Sequence, residues 1–397
     1  MLRNVSRLLR ARRNRNTNTP ARPLSAYRAF GLRLEYLEAR DVPAAFTSGN
    51  LAVLRLGDGG AALGNGATAV FIDEFTKAGA PVNVGNASAT GNPLTGVTAS
   101  ITAAAWSAGT VTVTTGVAHG FATGQQVEIA GMTPTGYNGT YTITVPTGST
   151  TTFTYPLATN PGTATAFGAA SLPTFNRLTS SGSATSEGLL TRSTDGQFLV
   201  VGGYAATPGI PNVVATSSID RVVGRVDAAG TLNTATRIST GTGGAYIANN
   251  IRSAASADGT GFWTGGTGTG GGTNFTPLGT AVSAATWAAT AGGTATITTA
   301  AAHGFATGQQ VNVAGMTPTG YNGLRTITVT SPTTFTYTLA TDPGAATAFG
   351  SATRQQTQVS SAPTNTRAIG VFNNQLYTSS GSSPNVGVNT VGTGGPP

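Results

Sequence analysis

The chain has no cysteine, little charge, two histidines and no long apolar segment. Without cysteine it can form no disulfide and no thiolate metal site, and it can supply no cysteine nucleophile. Charged residues make up 9% of the 397 residues and Lys77 is the single lysine, a composition that does not suit long solvated helices. No stretch approaches the roughly 20 apolar residues that a membrane helix requires, so we expect no transmembrane helix.

What the chain has in abundance is glycine, threonine and alanine. Threonine and valine favour strands, and glycine favours the tight turns between them, so the composition predicts an all-β protein. The net charge of +8 comes from residues 1–40, which hold ten arginines against Glu35 and Glu38, while the rest of the chain is neutral. A neutral body has no electrostatic footprint for nucleic acid, and we expect none as a partner of the mature protein.

Residues 1–45 form a basic leader that is predicted to be disordered or briefly helical. Leu34, Leu37 and Glu38 lie at helical spacing, and Pro43 ends any helix before it. The segment Leu-Glu-Tyr-Leu-Glu-Ala-Arg-Asp-Val-Pro resembles the N-terminal element of planctomycete surface proteins. This resemblance implies export and an extracellular or cell-surface location.

A long internal repeat interrupts the rest of the chain. Residues 118–139 and 302–323 are identical except at Glu128/Asn312 and Ile129/Val313, and weaker similarity extends outward on both sides. Apolar residues alternate with polar ones inside each repeat, which is typical of half-buried strands, and Asn-Gly and other glycines mark turns. The sequence therefore predicts two inserted β-modules of five or six short strands each, at 99–170 and 282–352.

Each repeat resembles a small β-barrel found in phage and planctomycete proteins, similar to the first catalytic-cysteine half-domain of ubiquitin-activating enzymes. The absence of cysteine means that no ubiquitin chemistry follows from this likeness. Closing the strands into a barrel would also remove exposed sheet edges.

Removing the repeats leaves a host in three parts, at 46–98, 171–281 and 353–397. Strand, Asp-Gly or Asn turn, and strand ending in glycine recur there, as in propeller blades. The host resembles a bacterial propeller-like family through GNLAVLRLGDG (49–59), GSATSEGLLTRSTDGQFLVVGGY (182–204), IDRVVGRVDAAG (219–230) and NNIRSAASADGTGFWTGG (249–266). Its strands suffice for roughly three or four blades, fewer than a closed propeller usually has, so we expect either an incomplete ring or one that another copy completes.

The chemistry-bearing residues predict binding and no catalytic, metal or cofactor site. His119 and His303 occupy the same place in the two repeats without nearby acids, which favours a packing or turn role. Glu187 and Arg192 could line a central channel or form a structural pair. Trp263 could stack on a ligand or anchor the core. These three residues are the predicted binding residues.

Together these features predict a non-catalytic, exported binding or structural protein whose partner is an unidentified surface ligand or envelope component. The alternative is a propeller-type hydrolase or lactonase acting on an extracellular substrate. That activity would need acidic side chains, such as Glu187, Asp220 and Asp58, to converge on one site.

Overall fold

The structure is a computed structural model that describes residues 46–57, 62–83, 92–93, 99–121, 123–124, 126–171, 177–228, 230–239 and 244–392. The predicted leader lies outside these residues. Nearly all regular structure in the described part of the chain is β-strand, accompanied by three short 3-10 helices at Thr135–Tyr137, Thr290–Gly292 and Thr319–Tyr321. The all-β prediction is therefore confirmed. None of the described helices is long and apolar enough to cross a membrane.

The strands fall into host and repeat segments along the chain. The first host strands are β1 Leu51–Leu56, β2 Ala67–Phe75, β3 Pro81–Asn83 and β4 Asn92–Pro93. The first repeat holds β5 Ala99–Ser107, β6 Thr110–Thr115, β7 Gln126–Ala130, β8 Gly139–Thr142, β9 Thr152–Pro156 and β10 Ala169–Ser171. The middle host strands are β11 Thr179–Ser181, β12 Thr191–Arg192, β13 Leu199–Tyr204, β14 Arg221–Val226, β15 Leu232–Ile238, β16 Ile251–Ala255, β17 Gly261–Gly266 and β18 Gly272–Pro277.

The second repeat and the last host part complete this order. The second repeat holds β19 Thr280–Ala288, β20 Thr294–Thr299, β21 Gln310–Ala314, β22 Gly323–Thr326, β23 Thr328–Ser331, β24 Thr334–Thr338 and β25 Ser351–Arg354. The last host strands are β26 Thr357–Ser360, β27 Thr366–Phe372, β28 Gln375–Ser380 and β29 Gly387–Val391.

Each repeat folds into a nearly closed antiparallel barrel. The first has the order β8-β7-β10-β5-β6-β9, and a bridge between Thr144 and Thr154 joins its two ends. The second has the order β22-β21-β25-β19-β20-β24-β23, and its end strands β22 and β23 follow each other directly in the chain. One bent strand thus pairs with both ends of the sheet, which is how a short sheet removes its edges.

The barrel cores follow from the period-two pattern of the sequence. In the first barrel Val111, Val113, Val127, Ile129 and Phe153 are buried in one cluster, and their counterparts in the second barrel are buried in the same way. The entering and leaving strands lie side by side, because β5 pairs with β10 and β19 pairs with β25. A module whose ends are adjacent can interrupt a host loop without separating the strands on either side of it.

The host strands form three antiparallel sheets. The largest runs β1-β2-β11-β13-β14-β15, with β12 added on β13 and with β3 and β4 on β2. The second runs β16-β17-β18-β26, so the second barrel is inserted between its last two strands. The third is β27-β28-β29.

These sheets pack face to face in chain order. Val200 and Val223 of the first sheet bury against Ala254 and Phe262 of the second. The other face of the second sheet, through Ala255 and Trp263, buries against Ile369, Leu376 and Val391 of the third. The face of the first sheet that meets the second, and the face of the second that meets the third, are thereby removed from water.

Candidate functional site

Glu187 lies in the loop between β11 and β12, and both of its carboxylate oxygens accept hydrogen bonds. Oε2 accepts from the Ser180 hydroxyl and from the Ser181 backbone N–H, each at 3.1 Å. Oε1 accepts from the Tyr204 hydroxyl and from the Asn250 side-chain amide. Because these donors come from the first two host sheets, the carboxylate joins the two sheets near the start of β16.

Arg221 extends this polar network on the far side of Tyr204. Its guanidinium carbon lies 5.2 Å from the centre of the Tyr204 ring, and the side chain is fully buried. Burial lowers the pKa of Arg221, and burial also raises the pKa of Tyr204, which the neighbouring Glu187 carboxylate raises further. The Tyr204 hydroxyl therefore stays protonated and acts as a hydrogen-bond donor to Glu187.

Arg192 lies elsewhere, on β12 at the edge of an open cleft. Its Nε and one terminal nitrogen donate to the Gly196 carbonyl at 3.1 and 3.0 Å, which holds the side chain across the turn before β13. The cleft has a volume of about 340 Å³ and is lined by residues 46–52, 196–199 and 226–228 together with Glu74 and Arg192. Of the three predicted binding residues, Arg192 is the one that reaches it.

The cleft combines an apolar surface with charged edges. Phe46, Leu51 and Phe198 contribute apolar groups, and 52% of the Leu51 surface is exposed. Glu74 is buried and accepts hydrogen bonds from the Thr47 backbone and the Asn50 side chain, both at 2.7 Å. An apolar surface with a few fixed polar groups is the common composition of a small-molecule or peptide site.

Trp263 lies between the second and third host sheets. It is 4% exposed, and its ring centre is 5.2 Å from that of Phe275. Glu187, Arg192 and Trp263 therefore occupy three different environments: a hydrogen-bond network, an open cleft and an apolar core. The Glu187 and Trp263 side chains are both engaged inside the protein. Ligand binding by these two residues stays a prediction.

The histidines occupy the packing and turn role that the sequence predicts. His119 is fully buried, its Nδ1 accepts the Phe121 N–H at 3.0 Å, and its ring packs edge-on against Phe153 with the centres 5.4 Å apart. His303 makes the same turn with Phe305 at 3.0 Å. Since Nδ1 is the acceptor, the neutral ring of His119 carries its proton on Nε2, which faces the Thr152 carbonyl at 3.3 Å.

The burial of His119 predicts a pH-dependent stability. Desolvation lowers the pKa of His119, opposed by the hydrogen bond to Thr152, so the folded state holds fewer protons than the unfolded state. This contribution is fully present above the unfolded value of about 6.5 and is lost as pH falls through the folded pKa. We expect His119→Asn to weaken the fall in melting temperature between about pH 7.5 and pH 5, because asparagine keeps the acceptor for Phe121 but does not titrate. An unchanged pH profile would contradict this.

The acidic residues that an enzyme would need have separate structural partners. Asp220 lies 3.6 Å from Arg237, and Asp195 and Asp258 accept hydrogen bonds from their own turns. Asp58 lies outside the described residues. Within the part of the chain that the structure describes, no group of three or more His, Cys, Asp or Glu side chains is placed to hold a metal ion.

Sequence reasoning missed most of the cleft and, apart from Glu187, the residues of the network that Arg221 extends. Phe46, Glu74 and Phe198 come from three separate segments, and no local motif connects them. Arg221 opens a strand that also holds Arg225, and no local pattern distinguishes the fully buried arginine from the other. A sequence signal of another kind concerns the barrels and not the cleft or the Arg221 network. Asn312 stands where the first repeat has Glu128, which indicates that the two barrels have different surroundings.

No family model matches the chain, and no curated protein matches it. Among solved structures, the chain is similar to the phage phi92 endosialidase, with 14% sequence identity and a TM-score of 0.17. The likeness covers 83% of this chain and 52% of that protein, so the chain spans about half the length of the solved structure.

Proposed function

We propose that this protein is an exported, non-catalytic binding or structural protein of the cell surface, and that it contacts its partner through the cleft beside Arg192. The export part rests on the leader, which resembles that of planctomycete surface proteins and carries the whole excess of positive charge. Its partner would be a surface ligand or envelope component, and the neutral body gives no reason to expect nucleic acid.

The observation that carries the proposal is the use of the acidic side chains. Glu187 accepts four hydrogen bonds from its own chain, and Glu74 and Asp220 are likewise held by their neighbours. A general acid or base needs a carboxyl that can reach a substrate proton. Groups held in this way support a binding or structural role over the hydrolase or lactonase alternative, which needs Glu187 and Asp220 to converge on a substrate.

The host is proposed to be propeller-like and the repeats to be the small barrels described above. Support comes from the order in which the host sheets stack, because each covers the preceding one through an apolar cluster. Support for the barrel assignment comes from the closure of both repeat sheets through a bent strand.

Fractionation of the producing cells tests the location. We expect the protein in the envelope or the medium, with an intact mass lower than that of the full chain because the leader has been removed. An unprocessed species confined to the cytosol would overturn the export proposal.

Binding to isolated envelopes tests the cleft. We expect Arg192→Ala to weaken cosedimentation of the full chain roughly tenfold, equivalent to about 1.4 kcal/mol. The melting temperature should change little, because Arg192 is exposed and donates only to the Gly196 carbonyl. Arg367→Ala is the matched control, because Arg367 is also exposed but lies on β27 outside the cleft. Equal binding by the two variants would exclude the cleft as the contact site.

A further inference from the structure

Two neighbouring carboxylates of β2 differ in their partners. Asp73 and Glu74 point to opposite faces of the strand, because successive side chains of a β-strand alternate. The Asp73 carboxylate pairs with Arg55, whose Nε lies 2.7 Å from Oδ2. Among the residues that the structure describes, no Arg, Lys or His nitrogen lies within 4.0 Å of the Glu74 carboxylate. Of these two buried carboxylates, Asp73 alone has a counter-charge from the chain itself.

The Glu74 carboxylate is also half-used as a hydrogen-bond acceptor. The residue is 2% exposed and lines the cleft beside Arg192. Oε1 accepts from the Thr47 backbone and the Asn50 side chain, whereas Oε2 has no donor in the described part of the chain and is not sealed from solvent. Across the sheet Glu74 pairs with Ala52, another cleft residue, so both side chains lie on the same face. The cleft therefore contains a carboxylate oxygen that is open to a ligand.

The charges around the cleft favour a cation at this oxygen. Asp227 adds a second carboxylate to the lining, and Arg192, the one cationic lining residue, is exposed at the edge, where solvent screens its charge. Lys77 is exposed beside Gly49 of the adjoining turn and pairs with neither carboxylate. A buried carboxylate without a counter-charge is unfavourable, and a cation that reaches it gains a charge-assisted hydrogen bond.

We propose that the Glu74 carboxylate binds a primary ammonium group of the partner, carried on an apolar stem. This inference rests on the proposed use of the cleft, since it names the group that the partner places there. A guanidinium pairs best through both oxygens of a carboxylate, whereas the compact ammonium suits a single open oxygen. The apolar stem packs on Phe46, Leu51 and Phe198 of the lining. Such an ammonium occurs at the amino terminus of a peptide and at the end of an amino side chain.

Saturation-transfer NMR titrations of the full chain test the proposal with two amines and their neutral counterparts. L-Leucinamide carries its ammonium as a peptide amino terminus does, and n-pentylamine carries it as an amino side chain does. N-acetyl-L-leucinamide and n-pentanol keep the apolar stems without the charge. We expect at least one amine to bind roughly tenfold more tightly than its neutral counterpart, and the tighter amine identifies the source of the ammonium.

Glu74→Gln separates the charge from the fold. Glutamine keeps an oxygen acceptor for Thr47 and Asn50 but replaces Oε2 with an amide donor, so we expect the preference for the amine to disappear with little change in melting temperature. Asp258→Asn is the control, because it removes one negative charge from an exposed turn outside the cleft and keeps the acceptor for Thr260. This variant should retain the preference for the amine.

Two results would overturn the proposal. The first is that neither amine binds the unmodified chain more tightly than its neutral counterpart, a result that needs no variant. The second is equal loss of the preference in the Glu74→Gln and Asp258→Asn variants, which would mean that overall charge and not the cleft attracts the amine. Equal envelope binding by the Arg192→Ala and Arg367→Ala variants contradicts the proposed function alone, so the two failures can be told apart.

Discussion

Replacing Arg221 with methionine is expected to lower the free energy of unfolding by roughly 3–5 kcal/mol. The guanidinium donates to the carbonyls of Ile219 at 2.6 Å, Val214 at 2.7 Å and Asn249 at 2.9 Å, and the side chain has no exposed surface. Methionine fills similar space but donates no hydrogen bond, so the buried carbonyl of Ile219 and the half-buried carbonyls of Val214 and Asn249 lose their donor. Urea denaturation followed by circular dichroism measures the loss.

Two further variants separate this role from general packing. Arg221→Lys keeps the charge but has no planar fork to span several carbonyls, so we expect it to recover less than half of the lost stability. Arg225→Met is the control on the same strand, since Arg225 donates once to Gly259 at 3.0 Å and otherwise covers the Phe198 ring. Its loss should be about 1 kcal/mol. Equal losses for the Arg221→Met and Arg225→Met variants would show that the number of bound carbonyls does not matter.

The barrels could be predicted from sequence because their signals are local and occur twice. Period-two burial places Val111, Val113 and Phe153 inside without knowledge of the rest of the chain. Near-identity of two segments then shows that the pattern belongs to an independent unit. The pairing of β8 and β9 through Thr144 could not be predicted, because it depends on how far one strand bends.

The host network could not be predicted because its partners are distant in sequence. Glu187 pairs with Asn250, 63 residues away, and the carbonyl of Asn249 meets Arg221 across a separation of 28 residues. The sequence allows a structural role for Glu187 but does not identify its partners, and it does not distinguish Arg221 from Arg225 on the same strand. Their role follows only when the sheets stack, and this stacking is tertiary information.

The cleft beside Arg192 and the surroundings of Asn312 show the same limit. Arg192 was a candidate for its position near Glu187, but the structure gives it different neighbours, with Phe46 and Phe198 lining the same cleft. Asn312 differs from Glu128 at the equivalent place of the first repeat, whereas Asp220 and Arg237, which line the same depression as Asn312, lie far from it in sequence. A sequence difference between repeats can therefore mark a position without identifying the residues that surround it.

The second large effect is expected from adding one methyl group at Gly350. A Cβ there would lie 1.8 Å from the Ala314 carbonyl oxygen and 2.7 Å from the carbonyl carbons of Ala314 and Gly315. These are backbone atoms at the end of β21 and immediately after it, so they cannot rotate away as a side chain would. We expect Gly350→Ala to cost about 4 kcal/mol or more and to disrupt the second barrel by separating β25 from β21.

The repeat supplies an internal control for this prediction. Gly168 is the equivalent residue of the first barrel, and its Cβ would lie 1.8 Å from the Ala130 carbonyl oxygen. Gly370 has an ordinary backbone conformation and nothing within 4 Å, so Gly370→Ala should change stability by less than about 0.5 kcal/mol. A result in which all three variants lose similar stability would show that the close approach is not the cause.

The three tryptophans report which unit is affected. Trp106 lies in the first barrel and Trp287 in the second, and each donates its indole N–H to a backbone carbonyl at 2.7 Å, while Trp263 lies in the host core. In an NMR spectrum assigned through tryptophan-to-phenylalanine variants, Gly350→Ala should shift or remove the Trp287 indole signal and leave that of Trp106 in place. Gly168→Ala should do the reverse. Loss of all three signals in both variants would mean that the barrels and host unfold together, because damage to one barrel would then spread through the adjacent pairs of entering and leaving strands into the host sheets.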